Sequence, residues 1–157
     1  MSLIVIKQAV LTIVLFLFCT MATIAQATLQ SGQYLIDEQG EVACKLSGTK
    51  DSLRLNPEPV LTIWDFEEAV IAYQETIKGK APVMLIRLTP AGRRKFLEFS
   101  REHTGEISGT VVNGELLTAI RIATALDIQY LEIQNTLSKR QLQKLADRIN
   151  NEIKATK

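Results

Sequence analysis

The sequence predicts an α+β fold: one mixed or antiparallel sheet with about three helices packed on one of its faces. Three observations lead there. Strand-like runs alternate with helix-like stretches early in the chain, and three strand-like runs follow one another late. Asn113-Gly114 lies between two β-rich runs, the strongest short-range hairpin signal available. Leu142, Leu145, Ile149 and Ile153 recur every three or four residues, the apolar stripe of an amphipathic helix. A chain of 157 residues gives one domain as the prior. Its net charge of +1 argues against an electrostatic nucleic-acid binder, which carries a basic excess.

Residues 1–27 read as a secretory signal peptide rather than as part of the fold. Lys7 is their only charge, Ala9 to Phe18 is a compact apolar run, and Ala25-Gln26-Ala27 is an A-x-A cleavage pattern. Cleavage after Ala27 leaves Thr28 as the new N-terminus and places the protein in the periplasm or outside the cell. The alternative is an uncleaved membrane anchor, because mild apolarity continues to Ile24. Cys19 is a poor lipidation site, since Phe18 stands where a small residue is expected.

Residues 28–56 read as an N-terminal hairpin and linker. Gln33 to Leu46 holds two short β-type runs around Asp37-Glu38-Gln39-Gly40. Cys44, the one cysteine left after cleavage, lies in an apolar-alternating run and is expected in the core. Ser47 to Asn56 is polar and turn-rich, a surface loop whose Leu53 and Leu55 can pair at a sheet edge. Pro57 and Pro59 keep the next piece extended.

Residues 57–157 make the α+β domain. Val60 to Ile63 is a brief strand, and Thr62 with Asp65 fits a helix-capping pattern. Phe66, Val70, Tyr73 and Ile77 then predict an amphipathic helix ended by Gly79, with Trp64 in its first turn as an exposed contact residue or a staple onto the core. Val83 to Leu88 is a strand that is covered on both faces, or that turns Arg87 to solvent. Thr89 caps a helix opened by Pro90, with Phe96, Leu97, Phe99 and His103 at helical spacing. Arg93, Arg94 and Lys95 face water, and Gly105 follows the last turn in a left-handed conformation. Next come the Asn113-Gly114 hairpin and the connection Ala123 to Asp127. Ile128 to Gln134 alternates as a half-buried strand with Leu131 and Ile133 on one face. Ser138 and Gln141 form a capping box before the last helix, whose Lys139, Arg140, Lys144 and Arg148 solvate its other faces.

Catalysis finds no constellation here. Hydrolytic chemistry needs a base near a nucleophile. His103 is the only histidine and sits at a helix C-terminus, where capping is its ordinary role. Glu67-Glu68 and Glu98/Glu102 are carboxylates of solvated helix faces. GEISG, from Gly105 to Gly109, lacks the lysine and glycine spacing of a phosphate loop. The chain is therefore expected to be non-enzymatic, with no catalytic, cofactor-binding or metal residues and no cofactor.

The run from Asn56 to Asn150 resembles the head part of the first periplasmic domain of the SecD/SecDF family, accessory subunits of the bacterial Sec protein-export machinery. The matching pieces are NPEPVLTIWDFEEA, VMLIRLTPAGRRKFLEFSREHTGE, NGELLTAIRI and LEIQNTLSKRQLQKLADRI, in the family's order. Ile120 replaces a proline common in the family, and Gln134 a glycine. Nothing after Thr28 is long or apolar enough to span a bilayer. The resemblance implies a freestanding head-like domain that binds polypeptide or an envelope partner, with Sec translocon components among the candidates. The alternative is a structural or regulatory envelope protein that keeps only the fold. Polypeptide binding needs an exposed sheet edge or apolar groove, and the sequence does not identify its residues.

Overall fold

The computed structural model describes residues 29–134 and 136–157. The expected signal peptide and Cys19 lie outside them. The described residues form eight strands and two α-helices, and the strands make two antiparallel sheets rather than one. The larger sheet holds β1 (Gly32–Ile36), β2 (Val42–Lys45), β3 (Ser52–Thr62), β6 (Ile107–Val112) and β7 (Glu115–Arg121), in the order β2-β3-β1-β6-β7. The smaller holds β4 (Phe66–Thr76), β5 (Gly79–Leu88) and β8 (Tyr130–Ile133), in the order β4-β5-β8. The helices are α1 (Pro90–Glu102) and α2 (Lys139–Thr156).

The single sheet with three helices is thus corrected, and the cause is the stretch after Thr62. Its capping pattern does form: Asp65 accepts the Thr62 amide at 3.0 Å. It closes only a 3-10 turn, Ile63–Asp65, after which the chain is a strand. A bulge between Phe66 and Glu68 shifts the side-chain parity. Phe66 and Ala69 are consequently buried three residues apart, and that spacing imitates a helix. The rest of the expected helical face is exposed: Val70 by 39%, Tyr73 by 53%, and Ile77 fully at the hairpin tip. β-Branched and aromatic residues suit this half-covered strand.

The proposed pairing of Gln33–Leu46 is also corrected. β3 runs between β1 and β2, so they are not hydrogen-bonded neighbours. Their connection arches over β3: the Asp37 amide donates to Arg54 O at 3.0 Å, and Arg54 Nε donates to Gly40 O at 2.9 Å. A Cβ at Gly40 would come within 2.7 Å of the Leu55 backbone, so only glycine allows this approach. Leu53 and Leu55 pair with Cys44 and Val42 near the sheet edge, as expected. However, the polar loop is shorter than expected, because β3 already begins at Ser52 and continues through both prolines. Beyond Leu55 β3 has no β2 partner, and proline is tolerated on such an open edge.

The larger sheet curls until its outer strands meet. Leu46 bridges Leu116, and the Ser47 amide donates to Leu116 O at 2.8 Å. Tyr34, Cys44, Leu55, Val111 and Leu116 fill the inside of this near-barrel. A second, larger core lies between the sheets and under the helices. It joins Met84, Ile86, Leu131 and Ile133 to Phe96 and Phe99 of α1, to the α2 stripe, to Leu61 and Leu117 of the larger sheet, and to Ile122 just beyond β7. α1 and α2 start at the expected caps: Thr89 Oγ1 accepts the Gly92 amide at 3.0 Å, and Ser138 and Gln141 cap reciprocally. Leu142, Leu145, Ile149 and Ile153 are all buried. Asn113 (φ 51°) and Gly114 (φ 79°) form the expected hairpin turn between β6 and β7.

Candidate functional site

An extended polypeptide needs a strand with unpaired backbone groups. Strand β8 offers one. It pairs with β5 on one side, in the register Met84↔Ile133 to Arg87↔Tyr130. The Leu88 amide donates to Gln129 O at 2.9 Å, continuing that register by one pair. In an antiparallel ladder, hydrogen-bonded pairs alternate with non-bonded ones. Leu131 and Ile133 therefore aim their amides and carbonyls at β5, while Tyr130 and Glu132 aim theirs away from it. The same parity predicts outward groups at Ala69 of β4. There the Asn150 side chain meets them, accepting the Ala69 amide and donating to its carbonyl, both at 2.8 Å. No strand covers the outer side of β8 among the described residues.

This edge borders a cleft of about 490 Å³. One wall is Ile128 and β8 with Gln134; the other is the outer face of the larger sheet, at Gln33, Thr110, Thr118 and Ile120. Those four side chains share a face because Gln33 pairs with Thr110 and Thr110 with Thr118, while Ile120 lies two residues further along β7. The base is polar and ordered. Gln33 Nε2 donates to Ser108 Oγ at 3.0 Å, and Thr110 Oγ1 donates to Gln33 Oε1 at 2.6 Å. All three residues are buried, so the row is held in place before any ligand arrives. Ile120 is 39% exposed and gives the cleft an apolar lip.

β8 is braced from its other side. Arg87 Nη2 lies 2.7 Å from Glu68, and its guanidinium sits 5.8 Å from the Tyr130 ring centre. Hydrogen bonding to Tyr130, then the Glu68 charge, raise the Arg87 pKa further above its ordinary value. Gln134 Nε2 donates to Glu132 Oε1 at 2.6 Å, so the strand's last side chains are tied to each other. The strand itself reads as the sequence predicts, with Leu131 and Ile133 buried. Its destination does not: β8 joins the smaller sheet across from the β6–β7 hairpin, and among the described residues no strand pairs with its outer side. An alternating run shows a buried face but not which strand it will join.

The residues weighed for chemistry lie elsewhere. The His103 ring rests on Phe99, centroids 4.7 Å apart, with Nδ1 3.2 Å from Glu106. Glu67 and Glu68 belong to β4 and flank Arg87, rather than lying on a helix. Glu98 and Glu102 are exposed on α1. Cys44 is buried with Sγ 3.4 Å from Gly114 O, and burial raises its thiol pKa. Among the described residues no group of three or more His, Cys, Asp or Glu is arranged to hold a metal. None of their helices is long and apolar enough to cross a membrane.

Sequence reasoning missed Asn150, whose side chain clamps the Ala69 backbone beside the β4 bulge, and it read Asp65 as a helix cap without its burial or its ion pair. Asp65 accepts Lys95 Nζ at 2.8 Å and, through its carbonyl, the Thr89 amide at 2.9 Å. Lys95 is exposed along most of its length, as expected, while its Nζ ties α1 to the 3-10 turn. Trp64, left between contact and staple, is exposed.

No protein-family model matches the sequence, and no curated protein matches it significantly. The solved structures that share the fold include two of SecDF. One is SecDF, described as a membrane component that enhances protein export: TM-score 0.62, 17% identity, covering 82% of this chain and 66% of that one. The other is SecDF in its super-membrane-facing form: TM-score 0.61, 17% identity, covering 80% of this chain and 19% of that one. The chain therefore has a SecD-like fold, and it spans just under two thirds of the first SecDF chain and about a fifth of the second.

Proposed function

We propose that this chain is an exported, non-enzymatic polypeptide-binding module, an accessory to protein export, which receives an extended segment along the free edge of β8. The single observation that carries the reading is the unpaired β8 edge, open to a cleft with an ordered polar base. The SecD-like fold supports the export context, since the SecDF structures belong to a component that enhances protein export.

The geometry sets the strength of binding. Four hydrogen bonds along so short an edge, at about 1 kcal/mol each, give about 4 kcal/mol before the cost of association, so the backbone ladder alone is millimolar at best. Contact with Ile120 and Ile128 adds to that. Binding of this order releases its client readily, as a chain in transit requires. The ladder reads backbone rather than side chains, so many sequences are accepted.

The test is Glu132→Pro. The Glu132 amide faces outward, so proline removes one edge donor without breaking the β5 ladder. We expect unchanged secondary structure and loss of crosslinks from a photoreactive residue at Ile120 to exported chains or Sec subunits. Full crosslinking by a folded Glu132→Pro variant overturns strand addition at β8. Recovery of one unrelated envelope protein by the unaltered chain overturns the export role and favours a structural or regulatory one.

A further inference from the structure

Trp64 is the only tryptophan in the chain, and it stands 66% exposed on the 3-10 turn. It borders a groove of about 520 Å³ whose walls include Leu29, Ile63, Glu152 and Ala155. Rigid elements carry these walls. The turn is anchored by buried Asp65, which accepts Lys95 Nζ at 2.8 Å, and α2 packs against it. Glu152 and Ala155 stand three residues apart, so one face of α2 lines the groove. Ser31 Oγ accepts the Asn113 amide at 3.0 Å, which pins the chain just after Leu29 to the β6–β7 turn. Glu152 is half-buried and is the one charged residue of the groove wall. Among the described residues, neither its side chain nor that of Trp64 has a hydrogen-bond, ionic or ring partner.

We infer that this groove takes an arginine side chain of a polypeptide partner, its guanidinium stacked on Trp64 and paired with Glu152. Three properties select that chemistry. A carboxylate and an indole face both attract a cation. The apolar walls at Leu29, Ile63 and Ala155 suit the methylene stem that carries the charge. A guanidinium is planar, so it can stack on a ring and donate to a carboxylate at once, whereas an ammonium is a compact point charge. Free arginine fits worse, because its own carboxylate meets no basic residue in the groove wall. Within a polypeptide that group is an amide, which suits the Asn113 side chain at the same wall. The groove shares no lining residue with the β8 cleft, so the two sites stand or fall separately.

Since Trp64 is the sole tryptophan, its fluorescence reports on this groove alone. The full chain is titrated with the capped tripeptide acetyl-Gly-Arg-Gly-amide, with the same peptide carrying lysine or citrulline, the neutral isostere, and with free arginine. The arginine peptide should give a saturable change in Trp64 emission. Citrulline should bind about tenfold more weakly, the scale of one charge-assisted contact, with lysine and free arginine in between. Glu152→Gln keeps the reporter and the fold, and should weaken the arginine peptide by about the same tenfold. The proposal is overturned if the arginine peptide leaves Trp64 emission unchanged, if citrulline, lysine or free arginine matches it, or if Glu152→Gln binds it as the unaltered chain does.

Discussion

The two long hairpins of this protein were written with different clarity. In β6–β7, Asn113 and Gly114 carry the two positive φ angles of the turn, and few other residue pairs accept that geometry. In β4–β5, the turn residues Ile77 and Lys78 have no such preference, and the tip is held by Thr76, whose Oγ1 donates to Gly79 O at 2.6 Å. A hairpin is legible when its turn demands particular residues, and obscure when side-chain bonds hold a turn of ordinary composition. Both hairpins contain a bulge. Beside Val111 the neighbouring side chains are apolar on both faces, so a parity shift leaves no trace. After Phe66 the shift changes which residues are buried, and the strand acquires a helical rhythm.

The largest expected effect separates strand from helix in β4. A helix with Phe66, Val70, Tyr73 and Ile77 on its buried face loses stability at all four positions. The strand loses it at one. Phe66→Ala is expected to cost about 3–5 kcal/mol, the range for truncating a buried aromatic. Ile77→Ser, at the exposed tip, should stay within about 0.5 kcal/mol. Urea unfolding of both variants gives the answer, and equal losses would restore the helix.

Asn150→Ala tests what holds the bulge. Without the clamp, the Ala69 amide and carbonyl face a part-buried gap, at an expected cost of about 1–3 kcal/mol. Hydrogen exchange at Ala69 should rise more than at Leu131. If it does not, the bulge is fixed by β5 alone.

Gly114→Val asks the corresponding question of the legible hairpin. A β-branched residue at φ 79° is strained by about 1–3 kcal/mol. Thermal melting unchanged by this substitution would mean that the turn relaxes to another type, and that its clarity in the sequence carries little energy.

Those outcomes bear on what was readable. Local rules found both α-helices, because Thr89-Pro90 and Ser138 with Gln141 satisfy orphan amides within a few residues. They also found the β6–β7 hairpin and the buried face of β8. They failed where a decision is made at long range. β3 inserts between β1 and β2 through contacts of Arg54 and Leu55 with Gly40, and nothing local announces it. The candidate site belongs to this second kind. Its polar base joins Gln33 to Ser108 and Thr110, more than seventy residues away, and its open edge is the side of β8 where no strand lies among the described residues.

The smallest expected effect concerns the connection that carries the chain from the legible hairpin to β8. Arg93 of α1 meets Asp127 there with both guanidinium contacts, at 2.5 and 2.9 Å, and the Leu126 amide donates to Ser100 Oγ at 2.8 Å. The Arg93 hydrogen bonds lower the Asp127 pKa below its ordinary value. A carboxyl whose folded pKa is depressed contributes stability above its unfolded pKa and loses it as pH falls through the folded one. Both groups are exposed, so salt and solvent screen the pair. Asp127→Asn should therefore lower the melting temperature slightly at neutral pH, and the difference from the unaltered chain should close in acid. If the gap instead persists at low pH, the connection is held by neutral hydrogen bonding. The Ser100–Leu126 contact, not the ion pair, would then deliver β8 to its sheet.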